Sequence, residues 1–462
     1  VLILLGAAAL RCYGLDRFSM GNDEIEEIRW SRLPFFEMLH VTGADGAHPP
    51  LEFAVQALLT RAGASDPVRR VPSVVAGLLT VALSIVLSMK WFGEVAGLVT
   101  GALLSCAPIH VRFSQEVRPY SIGLLFLVGS LLALEEYRRG RKEWLAAVWF
   151  MAVLASGYTL YFAGLVSVLV SVAFLYAYRD TTLRRLWRRL PVVLLAWTIL
   201  YAPWIPSVLS VAGRRPPVEH EVINSAWLRY RLQTLATGDW AVEPVSPGSY
   251  AFWALVLVGL GAALASRPGA VTAIWLVAGG LAQLLILQWR PHYPAVHHFL
   301  PSWLATVFLA GCAMAALNRR GIAGTLGWAA IALVLFFDAQ TLVAYYDHGR
   351  PEWDGVAKYL RTSIRPGERL IAANGWAYRN LGYYWTDEGL GLAGVRLEHA
   401  GSELVGPAWL IMAVCPVDPG VRKEIERLPV RRVFPMTNHC EIRFVPPGRR
   451  IELPHGCCTP DV

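Results

Sequence analysis

The groups able to do chemistry lie in short polar stretches between long apolar runs. The first stretch is Asn22-Asp23-Glu24-Ile25-Glu26-Glu27. Asn22 or Asp23 can cap a helix that follows, holding Asp23 at its start, where a carboxylate can act as a general base. Glu26 and Glu27 suit an acidic first turn that complements the helix dipole. The second stretch, Ala47-His48-Pro49-Pro50-Leu51, halts one element and starts another, with His48 just before the new helix. Asp66-Pro67 followed by Arg69-Arg70 is a capped helix start with paired cations, suited to a lipid phosphate or to anchoring at head-group level. The third stretch holds Arg112, Glu116, Arg118 and Tyr120. Glu116 either pairs with a neighbouring arginine or joins a guanidinium beside a phosphate, whose oxygens fit the arginine fork. His292, His297 and His298 could hold a divalent metal if a carboxylate joined them. No cofactor is certain from the sequence.

These stretches must be positioned by membrane helices. The chain has 462 residues, 55% hydrophobic and only 16% charged, where soluble domains carry about 25%. That excludes a disordered tail, a small disulfide scaffold and an ordinary cytosolic enzyme. Uncharged runs near 73–89, 95–111, 119–134, 190–213, 248–265, 270–289, 299–317 and 321–337 are each long enough to cross a bilayer. The run 144–178 is too long for one crossing and is expected to turn near Ser156-Gly157. Val1–Leu10 is expected to be the outer part of a first helix that begins before Val1. The count is about eleven transmembrane helices. Ile25, Ile28, Leu33 and Phe36 recur at helical spacing and predict an amphipathic helix in the interface within the loop 11–72.

Charge sets the orientation and marks a boundary. Lys90, Arg138 to Lys142, Arg179 to Arg189, Arg267 and Arg319/Arg320 fall in alternate loops, giving thirteen basic residues on one side, predicted cytoplasmic. The polar stretches then face outward. The net charge of +8 is explained by those loops. No basic stripe with interleaved aromatics points to nucleic acid. After residue 349, 28 of 113 residues are charged, against 48 of the first 349. A transmembrane domain, 1–348, is thus followed by an extracytoplasmic α/β domain, 349–462. Arg369–Ala373, Trp409–Cys415, Arg431–Phe434 and Glu441–Val445 read as strands and Asp418–Leu428 as a helix. A Cys415–Cys440 disulfide is open if that domain meets an oxidising compartment. The disulfide state of Cys457 and Cys458 is equally undetermined.

Taken in order, several motifs resemble a known family. They are Leu10-Arg11-Cys12-Tyr13-Gly14-Leu15, Asp23-Glu24, His48-Pro49-Pro50-Leu51, Arg70-Val71-Pro72-Ser73 and Ser114-Gln115-Glu116-Val117-Arg118-Pro119-Tyr120-Ser121. This pattern over residues 10–125 is similar to the GT-C glycosyltransferases of the protein O-mannosyltransferase and aminoarabinose-transferase type. The resemblance implies a GT-C fold in a bacterial inner membrane and a sugar donor carried on polyprenyl phosphate. It also implies transfer at the outer or periplasmic face to a protein, lipid A or glycan acceptor. Asp23, Glu24 and Glu116 fall at the acidic catalytic positions. His48, Arg70, Arg118, Tyr120, Tyr161, His297 and His298 are the expected substrate-binding residues. Tyr158-Thr159-Leu160-Tyr161 lacks a histidine often found there, and Val296-His297-His298-Phe299 lacks an Arg-Tyr pair, so a histidine stands where arginine would face the phosphate. A ligase using a polyprenyl-diphosphate glycan is the nearest alternative. A lipid or polysaccharide transporter would need charges at the bilayer midplane, and the apolar runs are nearly free of them.

Overall fold

The computed structural model describes residues 1–180, 182–213, 224–238, 246–289, 295–348, 351–365, 367–399, 403–413, 423, 425–434 and 440–452. Two compact units emerge: Val1–Leu15 with Glu27–Ala344, and Asp16–Glu26 with Tyr345–Val462.

The first unit is helical. It opens with α1 (Leu2–Cys12). Next come α2 (Asn22–Ser31), whose first half belongs to the second unit, α3 (Phe35–Asp45) and α4 (Leu51–Arg61). The expected single amphipathic helix is therefore two. Pro34 lacks the N–H needed to continue α2 and sits at the N-cap of α3 in an extended conformation. Ile25 and Ile28 are buried, whereas Phe36 is 83% exposed.

The apolar runs all form helices. They are α5 (Asp66–Phe92), α6 (Glu94–Cys106), α7 (Pro108–Ser114), α8 (Tyr120–Gly140), α9 (Glu143–Thr159) and α10 (Tyr161–Ala177). Then follow α11 (Arg184–Tyr201), α12 (Ile205–Gly213), α13 (Ser225–Thr237), α14 (Pro247–Ala263), α15 (Arg267–Trp289), α16 (Leu300–Leu317) and α17 (Ile322–His348). Among the described residues, six helices are long and apolar enough to span by themselves, or seven if the bent pair α6 and α7 is one span. α1, α10 and α14 are shorter apolar helices.

α16 forms the centre, with every residue from Leu300 to Met314 buried. Around it Trp149, Trp275 and Phe174 fill the core. α11 and α17 turn Val192, Leu195, Ile199, Leu326 and Phe336 outward, as lipid-facing helices do. The bend of 63° between α6 and α7 falls at Ala107-Pro108, where proline removes a backbone donor. Arg11 answers the carbonyls exposed there. Its guanidinium donates to Leu104 and Ser105 oxygens at 3.2 and 3.1 Å, and to His110 Nδ1 at 2.6 Å.

The long run 144–178 turns at Leu160, in extended conformation, rather than at Ser156-Gly157. Gly157 serves close packing instead. A Cβ on Gly164 would lie 2.5 Å from the Gly157 Cα, whereas one on Gly157 would meet Tyr201 at 3.4 Å. Gly164→Ala should thus force α9 and α10 apart and cost roughly 1–3 kcal/mol. Gly157→Ala should change stability by no more than about 1 kcal/mol. Thermal unfolding of both variants in one detergent checks this, and equal losses would count against it.

Four of the five basic loops meet at one end of this unit. Lys90 pairs with Glu136 at 2.7 Å, Arg139 donates to the Lys90 carbonyl at 3.0 Å, Arg185 reaches Glu143 at 3.4 Å, and Arg267 pairs with Asp180 at 2.7 Å. Arg118 precedes α8 at its other end, about 30 Å away along a 21-residue helix.

In the second unit, α18 (Trp353–Ser363) and α19 (Gly375–Gly382) accompany a five-stranded sheet. Its strands are β1 (Arg369–Ala372), β2 (Leu397–His399), β4 (Ala408–Ala413), β5 (Val430–Phe434) and β6 (Cys440–Val445), in the order β2-β1-β4-β6-β5. β3 (Glu403–Val405) and β7 (Arg450–Glu452) form a separate antiparallel pair. β1 runs parallel to both neighbours, while β6 is antiparallel to both of its own. The four expected strands are present. The expected helix 418–428 falls largely outside the described residues. Cys440 is a buried free thiol, pushed up to about 12 by burial and by Glu441. Cys415, Cys457 and Cys458 lie outside the described residues.

Candidate functional site

In the first unit, Arg118 is the centre of a buried polar cluster. It is 8% exposed and lies between α7 and α8, where Pro119 starts α8. Nη1 donates to Glu27 Oε1 at 2.8 Å, and Nη2 donates to His48 Nε2 at 2.8 Å and to the Tyr120 hydroxyl at 3.3 Å. Both arms of the fork are thereby fixed. Glu27 is 2% exposed, so the pair is a buried one, costly to break from either side. The sequence offered Glu27 only as a first-turn acid. Pairing across 91 positions carries no local signal.

His48 is held just before the prolines, as the motif requires. Arginine has no acceptor, so Nε2 must accept and the proton sits on Nδ1. That atom is buried and has no hydrogen-bond partner among the described residues. Burial, then Arg118 and His298, hold the imidazole well below the usual histidine range. It is therefore neutral at pH 7. Tyr120 stacks near His297, with ring centroids 4.8 Å apart, and Phe113 closes on both. His297 and His298 lie in a short 3-10 turn, Val296–Phe299, pinned by the polar residues of α15 and α16. The His298 carbonyl accepts from Gln283 Nε2 at 2.6 Å, and Gln283 Oε1 accepts from Ser302 Oγ at 2.5 Å. Tyr161 accepts from Trp204 Nε1 at 2.9 Å, while its neighbour Phe162 packs on His298.

His48, Arg118, Tyr120, His297 and His298 are thus brought together. The other expected residues make different contacts. Arg70 is fully buried and donates to the Leu15 carbonyl at 2.8 Å, and Arg69 donates to Thr60 at 2.8 Å. This pair serves internal bonds rather than a head-group surface. Glu116 is held by Arg112 at 2.7 Å, the internal pairing the sequence left open. In the second unit, Asp23 is exposed in the first turn of α2. Glu24 is 3% exposed and accepts from the Gly21 amide at 2.8 Å. Its carboxylate reaches back to the Gly21 amide at the helix start, half of a capping box. Among the described residues no three His, Cys, Asp or Glu side chains form a metal-holding group. His292 lies outside them.

Glu52 went unnoticed in the sequence, although it is the one acid in the apolar helix Leu51–Leu59. It is fully buried. Gln56 donates to Oε1 at 3.0 Å, and Oε2 has no partner among the described residues. Burial pushes its carboxyl up to about 6, against the Gln56 hydrogen bond and the attraction of Arg118. Unfolded, the group titrates near 4.5. Its raised value favours the fold fully below 4.5, and this benefit is lost as pH rises through about 6. Glu52→Gln should therefore be more stable than the parent by about 2 kcal/mol at pH 7 to 8. The gap should close at pH 4.5 and below. His48 titrates in both proteins, so the difference in thermal unfolding isolates Glu52. A gap independent of pH would refute the assignment.

The architecture defines a class: a helical membrane bundle with a small α/β unit. Residues 47–208 match the family model for dolichyl-phosphate-mannose-protein mannosyltransferase. The chain is similar in fold to ArnT from Cupriavidus metallidurans bound to undecaprenyl phosphate, with 16% identity and a TM-score of 0.55. That alignment covers 100% of this chain and 99% of the other. The apo state of the same protein aligns with 16% identity and a TM-score of 0.55, covering 96% and 97%. A further match is the oligosaccharyltransferase of Archaeoglobus fulgidus in complex with Zn and sulfate. It shares 14% identity over 82% of this chain and 61% of that one, with a TM-score of 0.48. No curated protein matches the sequence. The motif resemblance and the ArnT-like fold agree on a GT-C architecture.

Proposed function

We propose that this chain is a membrane glycosyltransferase. It moves a sugar from a polyprenyl-phosphate donor to a protein, lipid or glycan acceptor at the outer membrane face. The observation that carries the reading is the Arg118 fork, buried and held on both arms at the end of α8 away from the basic loops. A fixed guanidinium in a water-poor site stabilises charge that develops on a departing phosphate. The match over residues 47–208 supports this chemistry, and the ArnT structure with undecaprenyl phosphate supports a lipid monophosphate donor.

The acceptor oxygen attacks the anomeric carbon. The bond from that carbon to the phosphate oxygen breaks, and polyprenyl phosphate leaves with both electrons. A phosphate needs no protonation to leave, so the remaining requirement is a base for the acceptor proton. Asp23 is proposed for that role on its motif position. Because Arg112 engages Glu116, a single displacement that inverts the anomeric centre is favoured over a double one. Arg118, His48 and Tyr120 are assigned to the phosphate end.

The test is reconstitution with a panel of radiolabelled polyprenyl-phosphate pentoses and hexoses and an envelope extract as acceptor. Release of free polyprenyl phosphate with label in the acceptor is expected, with the anomeric configuration inverted. Failure to consume any monophosphate donor, with consumption of a diphosphate-linked glycan, would overturn the reading. Movement of intact donor across the vesicle would do the same.

A further inference from the structure

Residues 16–26 pack with the C-terminal unit, and the contacts are specific. Ser19 Oγ donates to Asp354 Oδ1 at 2.5 Å and accepts from the Asp354 amide at 3.0 Å. Asp354 lies in the first turn of α18, whose own N-cap residue, Glu352, makes no side-chain cap. Ser19 therefore supplies, from 335 positions away, the acceptor that a helix start needs. One residue on, the Met20 amide donates to the Tyr384 hydroxyl at 2.5 Å, with Met20 fully buried. Tyr384 sits in a π-helical turn, Tyr383–Asp387, at the end of α19. Phe18 stacks on Tyr346 with centroids 6.4 Å apart. Arg379 reaches Glu26 at 3.7 Å with both partly exposed, a contact worth little.

These anchors bracket one short piece of chain. Met20 is followed by Gly21, whose amide Glu24 caps and whose carbonyl accepts from Ile25 at 2.9 Å. Asp23 stands on that turn. We infer that Ser19, Asp354 and Tyr384 are positioning residues that make the C-terminal unit a holder for the Asp23-bearing turn. This rests on the reading of Asp23 as the acceptor base. The hydrogen bonds fix the backbone just before α2, and so fix the direction in which the Asp23 carboxylate is presented. Neither donor nor acceptor binding is assigned to them. Their loss should therefore lower the turnover step and leave donor binding alone, since small misplacement of a reacting group is costly.

The full-length protein is compared with Tyr384→Phe, which loses only a hydroxyl, and with Ser19→Ala. Two readouts are taken: amide hydrogen exchange of residues 16–26, and steady-state transfer. In both variants exchange in this segment should rise about tenfold. kcat should fall about tenfold to a hundredfold with donor KM within about twofold. Ser19→Thr, which keeps the hydroxyl, should restore both. Unchanged exchange in both variants overturns the clamp. Faster exchange with unchanged kcat overturns the positioning role, as does a rise in donor KM that accounts for the whole loss. If Tyr384→Phe loses protection across all of 345–452, the contrast between Ser19→Ala and Ser19→Thr decides the matter. A parent protein inactive with every polyprenyl-phosphate donor would defeat the proposed function and the positioning role, while exchange would still judge the clamp.

Discussion

Asp23→Asn is expected to reduce sugar transfer by a factor of about 10²–10⁴, the usual worth of a positioned general base. The amide keeps the size of the carboxylate but cannot take a proton from the acceptor. The fold should survive the change. Asp23 is exposed, and the start of α2 is capped by Glu24 through the Gly21 amide. The favourable charge in the first helical turn that is lost is worth about 0.3–1 kcal/mol. Donor affinity should stay near the parent value, because the phosphate is assigned to Arg118. Single-turnover transfer and equilibrium donor binding measure the two effects separately. Near-normal transfer by Asp23→Asn would remove this residue from the mechanism.

Arg118 carries the second large effect, and here stability and chemistry must be separated. Arg118→Ala takes the 2.8 Å guanidinium partner from buried Glu27, so the fold should lose about 3–5 kcal/mol. Transfer should fall by about 10²–10³, the scale seen when one charge-stabilising donor is removed. Arg118→Lys keeps the charge but lacks the fork that meets Glu27, His48 and Tyr120 together. The discriminating protein is the double variant Arg118→Met with Glu27→Gln. It removes both charges, and replacing a buried pair by uncharged groups is often neutral in stability. Its thermal unfolding should approach that of the parent while transfer remains lost. A double variant that regains transfer together with stability would make Arg118 a structural residue only.

Much of the architecture was written along the chain. Hydropathy is a local property, so runs such as 299–317 and 321–337 announced α16 and α17. Alternation and β-branched content announced β1, β4, β5 and β6 in the same way. The polar stretches were found because charged residues are conspicuous between apolar runs. Boundaries were less legible. Pro34 divides the interfacial segment into α2 and α3, and Leu160, not Gly157, ends α9. The run 144–178 was expected to turn near Ser156-Gly157 because of its length, yet Gly157 and Gly164 are there to let two helices touch.

Partnerships were the other thing the sequence could not supply. Arg118 lies two positions from Glu116, and that nearness suggested a joint site. Packing instead gives Glu116 to Arg112 one helical turn away and Arg118 to Glu27. Glu52 became notable only when burial removed its water. The sequence by itself determined that this is a helical membrane protein with a small α/β unit, and which polar motifs it carries in which order. Those features depend on composition and short-range periodicity. The tertiary structure alone decided which carboxylate meets which guanidinium, and that Ser19 caps a helix 335 positions away. Such pairings depend on how distant segments pack, and on which polar groups that packing cuts off from water.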